Sequence, residues 1–342
     1  KQPVLSAIGH QVDEVLLDLV TDIKTPTPSL ASQYIIDHNK KYIRNKKDIL
    51  NNIYREMNYK LNKLKQEKLF NWADAVFFAP GRFIEDDVLK KAQNNVKIFQ
   101  LWSSGFEKFN VKTTKKLKIP LANNGSQNST AVSEMAVLLM MAVNRKLPHF
   151  HERTITGNWK NNSHGFDLYE MYGKTLGIIG FGNIGKKVAK ICNSFGMKIL
   201  YFDKIRATKK IEKELNAQFT PKNQIIKKSD ILSVHLHLNE ETKKIIDKRS
   251  IQNMKKNSIL INVSRSQLVD NRALLAALKN NKIRGAGLDV HDNEPTLKND
   301  ELNNHPGVVV TPHISGSTYD TYLRVIQSCL QNIENTIKNK KN

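Results

Sequence analysis

Along most of the chain, short apolar runs alternate with longer stretches in which apolar residues recur at helical spacing. The runs "ADAVFFA" (73–79), "VKIFQLW" (96–102) and "IPLAN" (119–123) are separated by polar helical segments. From residue 175 onward the alternation is regular. Here "TLGIIG" (175–180), "KILYF" (198–202), "ILSVHL" (231–236), "SILINV" (258–263), "AGLDV" (286–290) and "VVVT" (308–311) read as strands, with helices at 183–195, 271–279 and 319–337. Such alternation predicts βα units and a mainly parallel sheet. Between the two series, "AVSEMAVLLMMAVNRKL" (131–147) opens an apolar segment that runs to Thr156. It is expected to be one helix, broad enough to be covered on several sides, as at a subunit interface.

Residues 30–70 carry a different pattern. Ile36, Ile43, Leu50, Met57 and Leu64 recur every seven residues, Ile53 and Leu61 partly fill a second row, and Thr27 with Pro28 suits a helix start. The seam is narrow. It fits a coiled coil or helical hairpin, and equally a single amphipathic helix packed on a domain.

The chain has 342 residues, which suggests two domains, and 39% of them are apolar, enough for ordinary cores. No apolar run approaches the roughly 20 residues that span a bilayer, which speaks against a membrane role. Two cysteines, Cys192 and Cys329, make no disulfide framework, so a cytoplasmic setting is expected. A net charge of +22 raises the question of nucleic acid. The excess is mostly Lys, spread among many Asn and Ile residues, whereas a nucleic-acid footprint is clustered. A nucleic-acid partner is therefore not expected for the bulk of the chain.

Gly180, Gly182 and Gly185 form G-x-G-x-x-G, after an expected strand and at the opening of an expected helix. That context makes the motif a dinucleotide-binding signal. Gly180 permits the tight turn, Gly182 lets the backbone approach a pyrophosphate, and Gly185 allows close packing. Free N–H groups around Asn183 and Ile184 would face the anion. Asp203 ends the next strand, where a carboxylate can accept hydrogen bonds from both ribose hydroxyls of NAD and would repel a 2′-phosphate. Arg206 lies close enough to bear on the choice between NAD and NADP. His235, in "ILSVHL", is counted with the cofactor residues. No metal site is expected.

Three further stretches lie at or just after the carboxyl ends of expected strands, where open α/β sheets hold ligands. They are "NVSRSQLVD" (262–270), "GLDVHDNEP" (287–295) and "TPHISGST" (311–318), and they supply Arg265, Glu294 and His313. A guanidinium can grip a carboxylate through two parallel hydrogen bonds. A His paired with Glu can give a proton near neutral pH. Hydride transfer to a 2-oxo acid needs both.

With these motifs in order, residues 72–337 resemble the D-isomer-specific 2-hydroxyacid dehydrogenases, which include phosphoglycerate and glyoxylate reductases. The resemblance implies an α/β protein with a Rossmann-type doubly wound NAD domain (124–311). A smaller flavodoxin-like substrate domain would come from 71–123 and 312–342. It implies that Arg265 binds the substrate carboxylate, Glu294 orients the His and His313 is the acid/base. "WSSGFEKF" (102–109) resembles the family's substrate loop, so Ser103, Ser104 and Gly105 would help to hold the carboxylate. Asp289 would contact the nicotinamide end and Val263 would offer its backbone. His237 stands where the family usually has Pro, and Ser266 where it usually has Gly. A homodimer through 131–156 is expected.

The opening stretch, "SAIGHQVDEVLLDLVTDIKTPTPSLAS", resembles part of the large subunit of exonuclease VII, with His10 and Asp13 matching its G-H-x-x-D motif and 30–70 its long helix. It stands where the dehydrogenase family has a strand, a helix and a second strand. The chain thus reads as a junction of two truncated genes, with a helical arm at 1–70 and a substrate domain short of strands. Three functions follow as expectations. The first is an NAD-dependent D-2-hydroxyacid dehydrogenase, with turnover impaired if the substrate domain is incomplete. The others are an exonuclease VII-like fragment that binds or cuts single-stranded DNA, and a non-catalytic NAD-binding protein.

Overall fold

The computed structural model describes residues 73–78, 86–92, 95–106, 109–159 and 164–339. The helix expected over 30–70 and the His10/Asp13 motif lie outside the described residues. The chain divides into two compact units, one holding the described residues up to Gln127 and from Leu323 onward, the other Asn128–Tyr322.

The first unit is built on three parallel strands, β1 (Ala75–Phe78), β2 (Ile98–Leu101) and β3 (Leu121–Ala122), in that order. Helices α1 (Asp86–Lys91) and α2 (Val111–Leu117) connect them. Alternate strand residues go to opposite faces. Val76, Phe78, Phe99 and Leu101 join Leu89, Phe109 and Ile119 in one core. Ala75 and Ile98 pack instead against Ile333 of the chain's last helix, with Ile337 beside them. Asn110 caps α2 by accepting from Thr113 N at 3.1 Å, and its amide donates to Asp86 at 2.7 Å. That contact ties the two helices together.

The second unit opens with α3 (Ser129–Arg145) and α4 (Leu147–Ile155) and continues through alternating elements. These are β4 (Thr175–Ile179), α5 (Asn183–Ser194), β5 (Lys198–Phe202), α6 (Lys209–Glu214), β6 (Ala217–Phe219), α7 (Lys222–Lys228) and β7 (Ile231–Val234). There follow α8 (Lys248–Asn253), β8 (Ile259–Asn262), α9 (Asn271–Lys279), β9 (Gly285–Leu288) and β10 (Val308–Val310). The last helix, α10 (Tyr319–Asn339), starts in this unit and runs into the other. The seven strands form one parallel sheet in the order β10-β9-β8-β7-β4-β5-β6. The doubly wound parallel sheet expected from the sequence is thus present, and the order reverses between β4 and β7.

Both faces of this sheet are covered, as an all-parallel sheet requires. Ile178, Ile231, Ile259 and Ile261 pack on α3 and α5 through Leu139, Met140, Val188 and Cys192. Ile179, Leu232, Val234 and Leu260 pack on the opposite side with Ile225, Ile226, Ile251, Leu274 and Leu278. Gly177 lets α7 lie directly on β4, since a Cβ there would fall 2.5 Å from Ile225 and closer still to Ser229.

The single helix expected over 131–156 is two. Lys146 adopts a left-handed conformation (φ 49°) that ends α3, and Pro148 in the first turn of α4 starts a new axis. The two halves differ in burial. Eleven of the α3 residues are buried, and none of the α4 residues is. Strand β6 was not foreseen, because "AQF" is three residues with a polar centre, too short for a periodicity signal.

Candidate active site

The cofactor end is built where the strand order reverses. Strand β4 runs into Gly180, whose φ is +99°, and a Cβ there would lie 2.4 Å from the carbonyl oxygen of His235, just after β7. The close approach of these two strand ends requires glycine. A Cβ on Gly185 would fall 2.2 Å from the Gly180 carbonyl oxygen, so the turn and α5 also need glycine where they touch. Gly182 differs. It caps α5, has no side-chain cap, and a Cβ there would meet nothing within 4 Å. The first N–H groups of α5, Asn183 and Ile184 included, have no intrahelical acceptor and sit at the positive end of a twelve-residue helix.

Asp203 lies beside this turn. Its Oδ2 accepts from Phe181 N at 2.6 Å and its Oδ1 from Ile205 N at 3.3 Å, which fixes the carboxylate at the carboxyl end of β5. Arg206 is turned away into a two-point pair with Glu212, at 2.8 and 3.0 Å. His235 is buried. Its Nε2 shares a hydrogen bond of 2.8 Å with Ser233 Oγ, while its Nδ1 is enclosed without a partner. Burial pushes its imidazole down to about 3, so it is neutral. Val263 follows β8 and is buried in the core. An open cradle over Gly182, unsatisfied first-turn amides and a fixed carboxylate together suit a dinucleotide: pyrophosphate on α5, ribose hydroxyls on Asp203.

The chemical end is assembled by three neighbouring strands. Arg265 follows β8, Glu294 follows β9 and His313 follows β10. His313 Nδ1 lies 2.9 and 3.0 Å from the two Glu294 oxygens, and the Glu294 carboxylate also accepts from His291 N at 3.1 Å. Burial works to raise the Glu294 carboxyl, but the hydrogen bonds from His313 and His291 N outweigh it and hold the group below its ordinary value. His313 has a left-handed backbone, φ 53°, sparsely populated for a non-glycine residue. What holds it there is Asp289 at the end of β9. Asp289 accepts from Thr311 Oγ1 (2.5 Å), Ile314 N (2.9 Å) and Ser315 N (2.8 Å), and from the Ser315 hydroxyl. Expected at the nicotinamide end, this carboxylate is here fully buried and committed to the loop that carries His313.

Arg265 donates from Nη1 to Ser264 O at 2.8 Å, and its own carbonyl accepts from Asn262 Nδ2 at 2.9 Å. Ser266, the departure from the usual glycine, is buried, and its hydroxyl donates to Asp292 at 2.6 Å. Asn271 Nδ2 reaches the same Asp292 oxygen at 2.8 Å. These bonds link the loop of Arg265 to the loop of Glu294. His237 is exposed, and its carbonyl accepts from Thr242 Oγ1. No cluster of metal-ligating side chains occurs among the described residues.

His291 was not singled out in the sequence. Its ring lies 2.9 Å from Thr311 O and 3.1 Å from Asn303 Oδ1, joining the segments that bear Glu294 and His313. Its place between Asp289 and Glu294 was the available signal. In the first unit, Ser103, Ser104 and Gly105 form a turn after β2, with Ser103 Oγ donating to Gly105 O at 2.6 Å. Asn123 and Asn124, also missed, brace this turn. Asn123 Nδ2 donates to Ser104 O at 2.9 Å, and Asn124 Oδ1 accepts from Ser104 Oγ at 2.5 Å.

Residues 137–315 match the D-isomer specific 2-hydroxyacid dehydrogenase, NAD binding domain. A glyoxylate reductase of Korarchaeum cryptofilum is 35% identical over 245 residues, 71% of this chain and 74% of its own length. An acyclic imino acid reductase (Bsp5) in complex with NADPH and D-Arg superposes with a TM-score of 0.72 at 29% identity, covering 81% of this chain and 87% of that one. D-lactate dehydrogenase from Aquifex aeolicus, complexed with NAD and lactic acid, gives 0.71 at 26% identity over 80% and 85% of the two chains. Residues 1–163 match, weakly, the exonuclease VII large subunit. That interval runs on into β1–β3 and α3, where Leu139, Met140 and Val143 are core residues of the parallel-sheet unit. The glycine cradle, the domain match and the relatives agree: the chain belongs to the D-isomer specific 2-hydroxyacid dehydrogenases, and its cofactor is NAD.

Proposed function

We propose that the protein reduces a short 2-oxo acid to the D-2-hydroxy acid, and oxidises the product in reverse, with His313 as acid/base, Glu294 as its partner and Arg265 as the carboxylate anchor. The observation that carries this reading is the pairing of His313 Nδ1 with Glu294 at 2.9 Å. With the carboxylate accepting at Nδ1, the proton to be given is the one on Nε2, which has no partner among the described residues. Reduced NAD, when bound, supplies a hydride to the substrate's C2. His313 gives its Nε2 proton to the carbonyl oxygen as that hydride arrives, so the alkoxide never stands uncompensated. Arg265 presents a planar fork to the substrate carboxylate and fixes which face of C2 is presented.

The relatives' names, glyoxylate reductase and D-lactate dehydrogenase, favour substrates of two or three carbons. The test is a screen of glyoxylate, pyruvate, hydroxypyruvate and longer 2-oxo acids with NADH, following loss of nicotinamide absorbance and the stereochemistry of the product. Turnover giving the D-product supports the reading. NADH binding with no turnover on any 2-oxo acid would favour a non-catalytic NAD-binding protein. A role for residues 1–70 in holding single-stranded DNA rests on the exonuclease VII match. It calls for binding that falls steeply with salt.

A further inference from the structure

Three of the basic residues after Asp203, namely Lys204, Arg206 and Lys209, are paired. Lys204 pairs with Glu241 at 3.1 Å, and Arg206 and Lys209 both converge on Glu212, Arg206 through two bonds and Lys209 at 3.1 Å. Glu212, on α6, is 8% exposed and is the centre of this arrangement. Tyr201 OH donates to its Oε1 at 2.7 Å and accepts from Ala207 N at 3.1 Å, which fixes the turn between Asp203 and α6. The Arg206 guanidinium is further held over the Phe219 ring, 5.3 Å from its centroid. The Tyr201 ring stacks on Phe181 in the glycine turn, 3.9 Å between centroids. The carboxyl of Glu212 is held down to about 2 by Arg206 first, then by Tyr201 and Lys209 against the pull of burial, so the pair persists throughout neutral pH.

A 2′-phosphate on the adenosine ribose would arrive beside Asp203, which repels it. Accepting it takes a cation that can swing to that place, and Arg206, three residues on with about half of its side chain exposed, is the one best placed to do so. We propose that Glu212 is a specificity-determining residue: by holding Arg206 in a two-point pair, it denies a 2′-phosphate its counter-charge and holds the chain to NAD. Asp203 supplies the repulsion, and Glu212 removes the means of offsetting it. Releasing Arg206 would therefore narrow the preference without abolishing NADH binding.

Calorimetric binding of NADH and NADPH to the full chain, with 5′-AMP and 2′,5′-ADP as fragments, tests this without reference to turnover. Glu212→Ala should tighten NADPH and 2′,5′-ADP at least tenfold while NADH and 5′-AMP move less than about threefold. Glu212→Gln, which keeps the volume and the Tyr201 contact, should shift them in the same sense. Arg206→Ala in the presence of Glu212 should leave all four within about twofold, because the guanidinium is not at the ribose. The double variant Glu212→Ala with Arg206→Ala should lose the gain. A folded Glu212→Ala with unchanged NADPH affinity would overturn the proposal. So would a tenfold loss of NADPH affinity in Arg206→Ala alone, an arm that leaves Glu212 in place.

Discussion

Glu294 shows how one side chain's worth depends on its partners. Its carboxylate receives His313 and the backbone of His291, and both favour the ionised form. The folded value is depressed, so the stabilisation is present above the ordinary carboxylate range and is lost as pH falls through the lower folded value. His313→Ala should lower 2-oxo-acid reduction about 100-fold or more, the usual scale for a positioned acid, with the NADH dissociation constant within twofold. Arg265→Lys should act mainly on KM, since an ammonium cannot reproduce the planar fork. Stopped-flow turnover with parallel NADH titrations separates the two. Full turnover by His313→Ala would place the proton donor elsewhere. His235 makes a separate claim about pH. Its folded value, about 3, lies below the unfolded value of about 6.5, so the unfolded chain takes up a proton that the native chain refuses as pH falls below that point. Stability should therefore drop by up to about 1.4 kcal/mol per pH unit between pH 6.5 and 4 from this group alone. Urea unfolding of His235→Gln should show a shallower acid loss than the unmodified chain.

At the scale of elements, glycines separate packing from ligand binding. Gly177 sits under α7 with no room for a methyl group, while Gly182 faces open space at the start of α5. Gly177→Ala should destabilise the protein by about 1–3 kcal/mol through overpacking, with NADH affinity little changed in the folded fraction. Gly182→Ala should leave stability within about 1 kcal/mol yet weaken NADH, because its Cβ would occupy the approach of the pyrophosphate. Chemical denaturation and fluorescence titration of both variants check the contrast. A Gly182→Ala protein that binds NADH normally would show that the cradle is used differently. The same reasoning explains α3 and α4. The first is buried by the sheet it packs on, and the second, beyond the left-handed turn at Lys146, buries none of its residues.

For the whole molecule, the second unit leaves an apolar surface on its opening helices. Leu138 and Met141 of α3, Leu147 and Ile155 of α4, and Trp159 just beyond are exposed. Exposed apolar side chains that gather into one patch mark an interaction site. The homodimer expected through 131–156 is our reading of it. The chain should sediment at twice its mass of 39.0 kDa, and Leu138→Lys with Met141→Glu should shift it to the monomer while NADH still binds. A monomeric unmodified chain at micromolar concentration would rule this out.

What could be read without coordinates was whatever rests on local physics. Strand–helix alternation follows from periodicity and burial, so the parallel sheet was legible. The glycine turn follows from backbone freedom, so the tight turn from β4 into α5 was legible at Gly180, Gly182 and Gly185. The order of Arg265, Glu294 and His313 after three strands was legible because parallel sheets collect strand ends on one edge. What depends on contacts between distant residues was not. That Asp289 braces, through its carboxylate, the loop that bears His313 could not be read from the chain. The sequence left Arg206 open to NADP, while the fold brings Glu212, six residues on, and Tyr201, from the preceding strand, onto it. Nothing in the spacing of these residues reveals those bonds. They exist because the fold brings Glu212 of α6 against Tyr201 of β5, and only packing decides which carboxylate meets which cation.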